Sequence, residues 1–261
     1  MMRFLKKLIH KFLALLNLKI TKINYGFSEF PIVEAKNDEI NLLEISSKYS
    51  MTSLLRRWAL INSIKHVKNK NIEGDFVECG VWKGGNLIIF NNLINKYKLN
   101  KKIFAYDTYT GMSEPTVFDK NILNVDAKKE WEINKKTDNI NLSFNCYSSL
   151  DEVKNNIKKN SYNENSLENL NFIKGKVEET LQSKENLPEK ISILRLDTDW
   201  YESTKVELEV LYPRLVKNGI LIIDDYGHWK GARKAVDEYF KDKKIVKHYI
   251  DFSCRMIINT L

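Results

Sequence analysis

Apolar and polar positions alternate along most of this chain in blocks of strand length and helix length. From residue 74 onward, five apolar runs predict strands: GDFVECG (74–80), KKIFAYD (101–107), NLNFIKG (169–175), ISILRLD (191–197) and GILIIDD (219–225). Helices are predicted over 86–97, 201–216 and 230–242, and two more strands over 243–259, around a turn near Asp251 and Phe252. This alternation predicts an α/β, doubly wound (Rossmann-like) fold whose sheet is mostly parallel, with an antiparallel terminal edge strand.

The N-terminal segment, residues 1–16, has the most regular helical pattern in the chain. One face is apolar and the other is basic, with Phe4, Leu8, Phe12 and Leu16 opposite Arg3, Lys6, Lys7 and Lys11. Lys11 interrupts the apolar centre that a signal peptide requires. Three interpretations stay open: a helix packed on the core, a dimer contact in a homo-oligomer, or a helix lying in the plane of a membrane with its basic side chains facing anionic lipid.

The segments between the periodic blocks predict the domain organisation. Residues 17–50 are mixed in character and predict a loop with one short helix, whereas 50–69 predict a longer helix. The Asn- and Lys-rich interval 111–168 predicts an insertion with one or two helices, which is either a lid that faces the substrate or a solvated surface segment. We predict an extension over 1–49 and a single domain over 50–261.

The composition of the chain limits which partners it is expected to bind and which compartment it is expected to occupy. The formal net charge is +8, but the chain is generally rich in Lys, Asn and Ile, and no arginine-rich run or zinc-finger spacing supports nucleic-acid binding. The three cysteines form neither a disulfide framework nor a CxxC pair, which indicates a reducing compartment. No apolar stretch reaches the roughly 20 residues that span a bilayer. We expect a cytoplasmic protein, free or peripheral on the inner face of the membrane.

The first two predicted strands end in residues that suit a nucleoside ligand. In an open parallel sheet, ligands bind outside the carboxyl ends of the strands. Strand one ends in Glu78 and a glycine turn that runs Gly80-x3-Gly84-Gly85, which is not the GxGxxG of dinucleotide sites. Strand two ends in Asp107, and a carboxylate at this point can hold the hydroxyls of a ribose. S-adenosylmethionine is the leading candidate, because it carries a nucleoside without a pyrophosphate.

The fourth and fifth predicted strands end in carboxylates: Asp197 and Asp199 follow one, and Asp224 and Asp225 follow the other. We expect these two strands to be neighbours in the sheet. Their carboxylates would repel one another unless a cation lies among them, and oxygen ligands suit Mg²⁺ or another hard divalent ion. The alternative for Asp199 is a helix N-cap. His228 is a candidate pocket residue or base.

The same segments resemble a known enzyme family. GDFVECGVWKGG, LRLDTDWYESTKVELEVLYPRL and NGILIIDDYGHWKGARKAVDEY are similar to the sugar O-methyltransferases of macrolide and aminocoumarin biosynthesis, of the macrocin, mycinamicin and novobiocic-acid type. The similarity runs through roughly 50–110 and 170–240. It implies a class I methyltransferase fold, S-adenosylmethionine as the methyl donor, and a divalent cation, usually Mg²⁺.

The resemblance also implies roles for individual residues. The metal aspartates of the family fall on Asp197, Asp224 and Asp225, and its general base falls on Asp199, with His228 as the alternative. The candidate donor-binding residues lie at the strand ends and in SMTS (50–53): Ser53, Glu78, Gly80, Gly84, Asp107, Thr108, Lys176 and Val177.

The predicted function is therefore cation-dependent methyl transfer from S-adenosylmethionine to a hydroxyl of a sugar or glycan, in a surface polysaccharide or a glycosylated natural product. Two alternatives stay open. One is a catechol-type or phenolic O-methyltransferase, and the other is a catalytically silent nucleoside-binding scaffold. The intact set of four aspartates argues against the silent scaffold.

Overall fold

A seven-stranded sheet forms at the apolar runs of the sequence. The computed structural model describes residues 32–136, 146–163 and 166–260 of the chain. The strands are β1 (Asp75–Cys79), β2 (Ile103–Asp107), β3 (Leu170–Lys174), β4 (Ile191–Leu196), β5 (Leu215–Ile223), β6 (His248–Tyr249) and β7 (Arg255–Ile258). The five long apolar runs and the terminal pair that the sequence predicts are thus all present.

The order of the strands in the sheet is β3-β2-β1-β4-β5-β7-β6. Strands β1 to β5 pair in parallel, and β7 pairs antiparallel with β5 and with β6. The predicted α/β class, with an antiparallel edge, is confirmed. The chain runs outward from β1 to β3, then returns to β4 on the other side of β1. This reversal places a crevice outside the carboxyl ends of β1 and β4, where ligands bind in such sheets.

The helices cover both faces of this sheet. They are α1 (Asn37–Ser47), α2 (Leu54–Asn69), α3 (Gly85–Tyr97), α4 (Ala127–Lys136), α5 (Leu150–Lys159), the single turn α6 (Val177–Thr180), α7 (Tyr201–Leu211) and α8 (Lys230–Tyr239). Alternate side chains of β1 point to opposite faces. Val77 belongs to the core formed with Leu208 of α7 and Val236 of α8, whereas the ring of Phe76 lies 5.0 Å from that of Phe90 in α3. Both faces of the central strands are therefore buried, which explains their continuous apolar sequence.

Three predicted helix boundaries are wrong by three residues or more. The helix predicted over 50–69 begins at Leu54, with Ser53 as its N-cap, and the helix predicted over 230–242 ends at Tyr239.

The third error lies at the end of α7. The amphipathic pattern predicted a helix over 201–216, but α7 ends at Leu211, a short 3₁₀ turn covers Tyr212–Arg214, and β5 already begins at Leu215. Pro213 lacks a backbone N–H and its ring clashes with the preceding turn, so the α-helix cannot continue through it. Leu215 and Val216 carry the apolar pattern into the strand instead.

The predicted insertion contains two helices in its described part, α4 and α5, as the sequence predicts. The chain divides into two units, Met1–Asn37 and Asp38–Leu261, and the whole sheet belongs to the second. The predicted boundary at 49 and 50 stays a prediction. The amphipathic segment 1–16 lies outside the described residues, so its three interpretations also stay predictions. Within 32–136, 146–163 and 166–260, no helix has the length and apolar character needed to cross a bilayer.

Candidate active site

A cavity of about 210 Å³ opens at the carboxyl ends of the central strands. We call it the main cavity. Most of the predicted site residues line it, namely Gly80, Asp107, Thr108, Lys176, Val177, Asp197, Asp199, Asp224 and Asp225. Residues without a predicted role also line it, among them Arg56, Trp82, Asn86 and Cys146. Residues from five strand ends and from the segment before α2 therefore surround one space.

The glycine turn after β1 brings backbone close to the main cavity. Gly80 has φ +83°, and a Cβ there would lie 1.9 Å from the carbonyl oxygen of Asp197. Only glycine fits this crossing of the ends of β1 and β4. Gly84 also has a positive φ, but it contacts Val153 of α5 and does not line the cavity. Of the two glycines, Gly80 shapes the cavity directly.

Asp107 at the end of β2 holds the glycine turn in place. Its Oδ2 accepts hydrogen bonds from the backbone N–H groups of Val81 (2.7 Å) and Trp82 (3.0 Å). Its Oδ1 accepts one from the N–H of Tyr109 at 2.7 Å, and the hydroxyl of Thr108 lies 3.4 Å away. A carboxylate has about four acceptor positions. Three are taken by short bonds, which leaves about one position for a ligand.

Three carboxylates approach one another on the other side of the main cavity. Oxygens of Asp197, Asp199 and Asp225 all lie within 4.8 Å of one another. We call these residues the carboxylate cluster. It contains two of the three aspartates that were predicted to bind metal, together with the predicted base Asp199.

Asp224, the third predicted metal ligand, has other partners in the structure. Its Oδ1 pairs with Nη2 of Arg195 at 2.6 Å, and its Oδ2 pairs with Nη1 of Arg56. Burial and the nearby charge of Asp197 raise the pKa of Asp224 to about 6, although both arginines lower it. The structure therefore places Asp224 at the edge of the main cavity, but each of its two carboxylate oxygens is paired with an arginine side chain.

Arg195 is a buried cation beneath the carboxylate cluster. It lies on β4, is 2% exposed, and its guanidinium contacts Glu78 (2.9 Å), Asp197 (2.8 Å) and Asp224 (2.6 Å). Burial alone would lower the pKa of Arg195, but the three carboxylates outweigh it and raise the pKa further. The rigid fork of the guanidinium can bind several carboxylates at once, which fixes where Asp197 and Asp224 lie.

Glu78 lies below the main cavity rather than on its lining. It is 1% exposed, and its Oε1 accepts hydrogen bonds from Arg195 and from Nδ2 of Asn86. Its Oε2 is buried without a hydrogen-bond partner. Burial raises the pKa of Glu78 to about 7, against the effect of Arg195. Contact with the donor would have to come through Asn86, which does line the cavity.

A second arginine, Arg56 of α2, also lines the main cavity. Its Nε donates to Oδ2 of Asp251 at 2.7 Å, in addition to the pair with Asp224. The hydroxyl of Ser53 donates to the same oxygen at 2.7 Å and accepts from the N–H of Arg56, which caps α2. Ser53 thus lies outside the cavity as a helix cap, while Ser50, Met51 and Thr52 line it.

Asp199 occupies an unusual backbone position. Its φ is +68°, a region that asparagine and aspartate tolerate better than other residues with side chains. Burial raises the pKa of Asp199 to about 6, against hydrogen bonds with Asp225 and from the side chain of Trp229. Asp199 does not cap α7, because Trp200 occupies the N-cap position and the N–H of Tyr201, the first residue of the helix, donates to Oδ1 of Asp119 at 2.8 Å. The simple helix-cap interpretation is therefore wrong.

A hydrogen bond to α7 holds the loop that carries Asp197 and Asp199. The hydroxyl of Thr198, between them, donates to Oε1 of Glu207 at 2.9 Å. Glu207 lies on α7 and is fully buried, and burial raises its pKa well above the ordinary value. A protonated Glu207 would hold the loop without adding a further negative charge beneath the cluster.

A second cavity of about 250 Å³ adjoins the main cavity and contains His228. We call it the side cavity. The two cavities share several lining residues, namely Met51, Arg56, Met112, Cys146, Asp199 and Asp225. Asp199 and Asp225 thus lie at the junction, with His228, Trp229 and Phe252 on the far side. The arrangement can hold one ligand at the glycine turn and another in the side cavity, with carboxylates between them.

Comparisons with known proteins identify the family of the chain. The profile of the family Macrocin-O-methyltransferase (TylF) matches residues 29–256 of the chain. The demethyldecarbamoylnovobiocin O-methyltransferase of Streptomyces niveus is 25% identical over 202 residues, which are 74% of this chain and 68% of that protein. The mycinamicin III 3''-O-methyltransferase of Micromonospora griseorubida is 27% identical over 192 residues, which are 73% of this chain and 70% of that protein.

Solved structures show the same fold. The O-methyltransferase NovP superposes with a TM-score of 0.69 at 24% identity, over 82% of this chain and 83% of NovP. The calicheamicin methyltransferase CalS11 superposes with a TM-score of 0.57 at 16% identity, over 92% of this chain and 99% of CalS11. These likenesses confirm a class I methyltransferase fold. With the family match over most of its length, the chain belongs to the macrocin O-methyltransferase family and is an S-adenosylmethionine-dependent O-methyltransferase.

Proposed function

We propose that this enzyme methylates a hydroxyl group of a sugar in a glycosylated natural product or glycan, and that the reaction depends on a divalent cation. The observation that carries the proposal is the carboxylate cluster, Asp197, Asp199 and Asp225, at the junction of the two cavities. The names of the relatives support the sugar: they include a mycinamicin III 3''-O-methyltransferase and a methyltransferase of a rhamnosyl-tetracenomycin.

The donor fits the main cavity on the side of the glycine turn. Backbone at Gly80 and Val81 approaches the ligand closely, and Asp107 offers its remaining acceptor position to a ribose hydroxyl. Lys176 and Val177 also line the cavity, and we assign them to the adenine side of the donor. We assign Ser50, Met51 and Thr52, which line the same cavity, to its methionine end. Positioning of the donor by these groups contributes much of the rate in a transfer of this kind.

The carboxylate cluster suits a hard divalent cation such as Mg²⁺. All of its ligand atoms are carboxylate oxygens, and burial together with neighbouring negative charges raises the pKa of Asp225 well above its ordinary value. A divalent cation would supply positive charge to this cluster and acidify an acceptor hydroxyl. Asp199 would stay outside the ligand set as the proton acceptor, while Asp197 and Asp225 would hold the cation as the side chains lie. Asp224 could join them, as the resemblance implies, by releasing Arg56 or Arg195.

Asp199 is the proposed general base. It lies on both cavities, and burial raises its pKa above the ordinary value, which makes it a better proton acceptor than an exposed aspartate. His228 remains the alternative base, since it lines the side cavity together with Asp199. His228 contacts the ring of Trp229 edge to face, with 4.8 Å between ring centroids, which favours a role in shaping the cavity.

Asp199→Asn is expected to fold, to bind the donor as the wild type does, and to lose about 100-fold or more in kcat, because the amide keeps the shape but cannot accept a proton. Single-turnover assays and calorimetry with S-adenosylmethionine measure the two effects. Asp151→Asn, an exposed position on α5, is the matched control and should be fully active. Near wild-type turnover in Asp199→Asn would exclude Asp199 as the base and direct attention to His228.

Asp107→Ala is expected to weaken binding of S-adenosylmethionine about tenfold or more, because it removes the acceptor for a ribose hydroxyl and frees the glycine turn. Calorimetry with the 2'-deoxy and 3'-deoxy analogues of S-adenosylhomocysteine separates the two causes. If Asp107 contacts a ribose hydroxyl, Asp107→Ala should weaken binding of one deoxy analogue less than binding of S-adenosylhomocysteine, whereas an equal loss for all three ligands would come from the freed turn. Equal affinity of both proteins for the intact donor would refute the assignment.

The assay that tests the proposed function compares acceptor classes. The purified full-length chain is incubated with S-adenosylmethionine, with Mg²⁺ or with EDTA, and with each of a panel of acceptors. The panel contains TDP-rhamnose, the methyl glycosides of rhamnose, glucose and galactose, catechol and caffeoyl-coenzyme A. We expect S-adenosylhomocysteine and a methylated sugar by mass spectrometry, with Mg²⁺ only. Methylation of the phenols alone would favour the catechol-type alternative, and binding of the donor without any turnover would favour the silent scaffold.

A further inference from the structure

The side cavity has an aromatic wall formed by His228, Trp229 and Phe252. The ring of His228 lies edge to face against Trp229, at 4.8 Å between centroids, and against Phe252, at 6.2 Å. Trp229 is 7% exposed, but Phe252 is 56% exposed. One large apolar ring of this wall therefore remains open to whatever enters the side cavity.

The backbone that carries Phe252 is held firmly. Oδ1 of Asp251 accepts a hydrogen bond from the N–H of Ser253, and the Ser253 hydroxyl donates to the carbonyl of Asp224 at 2.8 Å. The N–H of Gly227 donates to the carbonyl of Ser253 at 2.7 Å, and a Cβ at Gly227 would lie 1.7 Å from the carbonyl oxygen of Phe252. The two turns are packed too closely for any residue but glycine at 227. Phe252 is thus an exposed ring on a fixed turn.

Phe252 also has a defined position relative to the carboxylate cluster. Asp199 and Asp225 line the same side cavity as Phe252, so the aromatic ring and the two carboxylates face one space. The guanidinium of Arg56 lies 5.8 Å from the centre of the Phe252 ring and bonds to Asp251 in the same turn. A molecule in the side cavity can therefore contact the ring on one side and present a hydroxyl to the carboxylates on the other.

We propose that Phe252 is the stacking platform for the pyranose ring of the acceptor and determines affinity for it. The inference rests on the proposed function and assigns the pyranose ring of the sugar to the aromatic wall. A pyranose has hydroxyls around its rim and an apolar C–H face, so it suits a site with carboxylates at one end and an aromatic ring at the other. Because the turn that carries the ring is already fixed, no backbone conformational entropy has to be lost there when the sugar binds.

Three variants of Phe252 test the platform with the panel sugar that the wild type methylates fastest. Phe252→Ala is expected to raise KM for the sugar about tenfold and to leave kcat within about twofold, because the contact is equally present in ground and transition states. Phe252→Trp keeps an aromatic ring and should stay within about twofold of the wild-type KM. Phe252→Leu keeps apolar bulk without a ring and should resemble Phe252→Ala. Donor affinity by calorimetry should be unchanged in all three.

Tyr162→Ala is the matched control, since Tyr162 is 60% exposed and lies on neither cavity. It should change neither kinetic constant. An unchanged sugar KM in Phe252→Ala, in a wild type that does methylate sugars, overturns the platform and leaves the proposed function intact. An equal rise in KM for Phe252→Ala and Phe252→Trp also overturns it. A wild type that methylates catechol but no panel sugar overturns the proposed function and the pyranose assignment together.

Discussion

Asp225→Asn is expected to lower Mg²⁺-dependent methyl transfer by about 1,000-fold, or about 4 kcal/mol of transition-state free energy. Asp225 lies at the junction of the two cavities and is one of three carboxylates whose oxygens approach within 4.8 Å. Asparagine keeps the shape but removes a negative charge from the cluster. The cation would then bind weakly, and the acceptor hydroxyl would remain a poor nucleophile.

Two binding measurements make this prediction specific. Calorimetry with S-adenosylmethionine should show an affinity within about twofold of the wild type, because the residues that we propose to hold the donor, Gly80, Asp107 and Lys176, do not belong to the carboxylate cluster. Calorimetry with Mg²⁺ alone should show a loss of binding. Asp242→Asn, at an exposed position after α8, is the control and should change neither. Full activity of Asp197→Ala or of Asp225→Asn in excess EDTA would contradict the cation model.

Much of the fold could be predicted from the sequence because the sheet is buried on both sides. Each central strand must then be a continuous apolar run, and Phe76 and Val77 illustrate the two faces that such a run fills. The helix boundaries were less certain, since a residue such as Leu215 suits either a helix or a strand. Pro213 shows that the α-helix ends before Leu215, but the spacing of apolar residues carries no information about this proline.

The acidic side of the candidate site could also be anticipated. Parallel strands place their carboxyl ends at one edge, so Asp197 and Asp225 were expected to lie together, and they do. What each carboxylate contacts could not be derived in this way. The sequence gives no information on whether Asp224 faces a cavity or an arginine, because its partner Arg56 comes from a helix 168 residues earlier.

The two arginines were missed, although one of them left a signal. Arg195 is the single charged residue in ISILRL, a run whose apolar character predicts a buried strand. A charge in such a position must be paired, since an isolated buried charge is too costly. The carboxylates at the ends of neighbouring strands were the natural partners. Arg56 left no comparable signal, because a basic residue near the start of an amphipathic helix is ordinary.

Arg195→Met is expected to lower the free energy of unfolding by about 3–5 kcal/mol, because it leaves three carboxylates near one another without their shared cation. The arginine is 2% exposed and contacts Glu78, Asp197 and Asp224 within 2.9 Å. Replacing a buried pair entirely can be neutral, but removing one partner is costly. Urea unfolding monitored by circular dichroism measures the change. Lys217→Met removes an exposed cation from β5 and should stay within about 0.5 kcal/mol of the wild type.

A second variant shows whether unpaired charge is the cause of this loss. In Arg195→Met/Glu78→Gln the buried carboxylate of Glu78 is also removed, so we expect the double variant to be more stable than Arg195→Met alone. Arg195→Lys keeps the charge but has no guanidinium fork for three partners, and should fall between Arg195→Met and the wild type. If Arg195→Met unfolds within 1 kcal/mol of the wild type, or if Glu78→Gln brings no recovery, the arginine does not hold these carboxylates together.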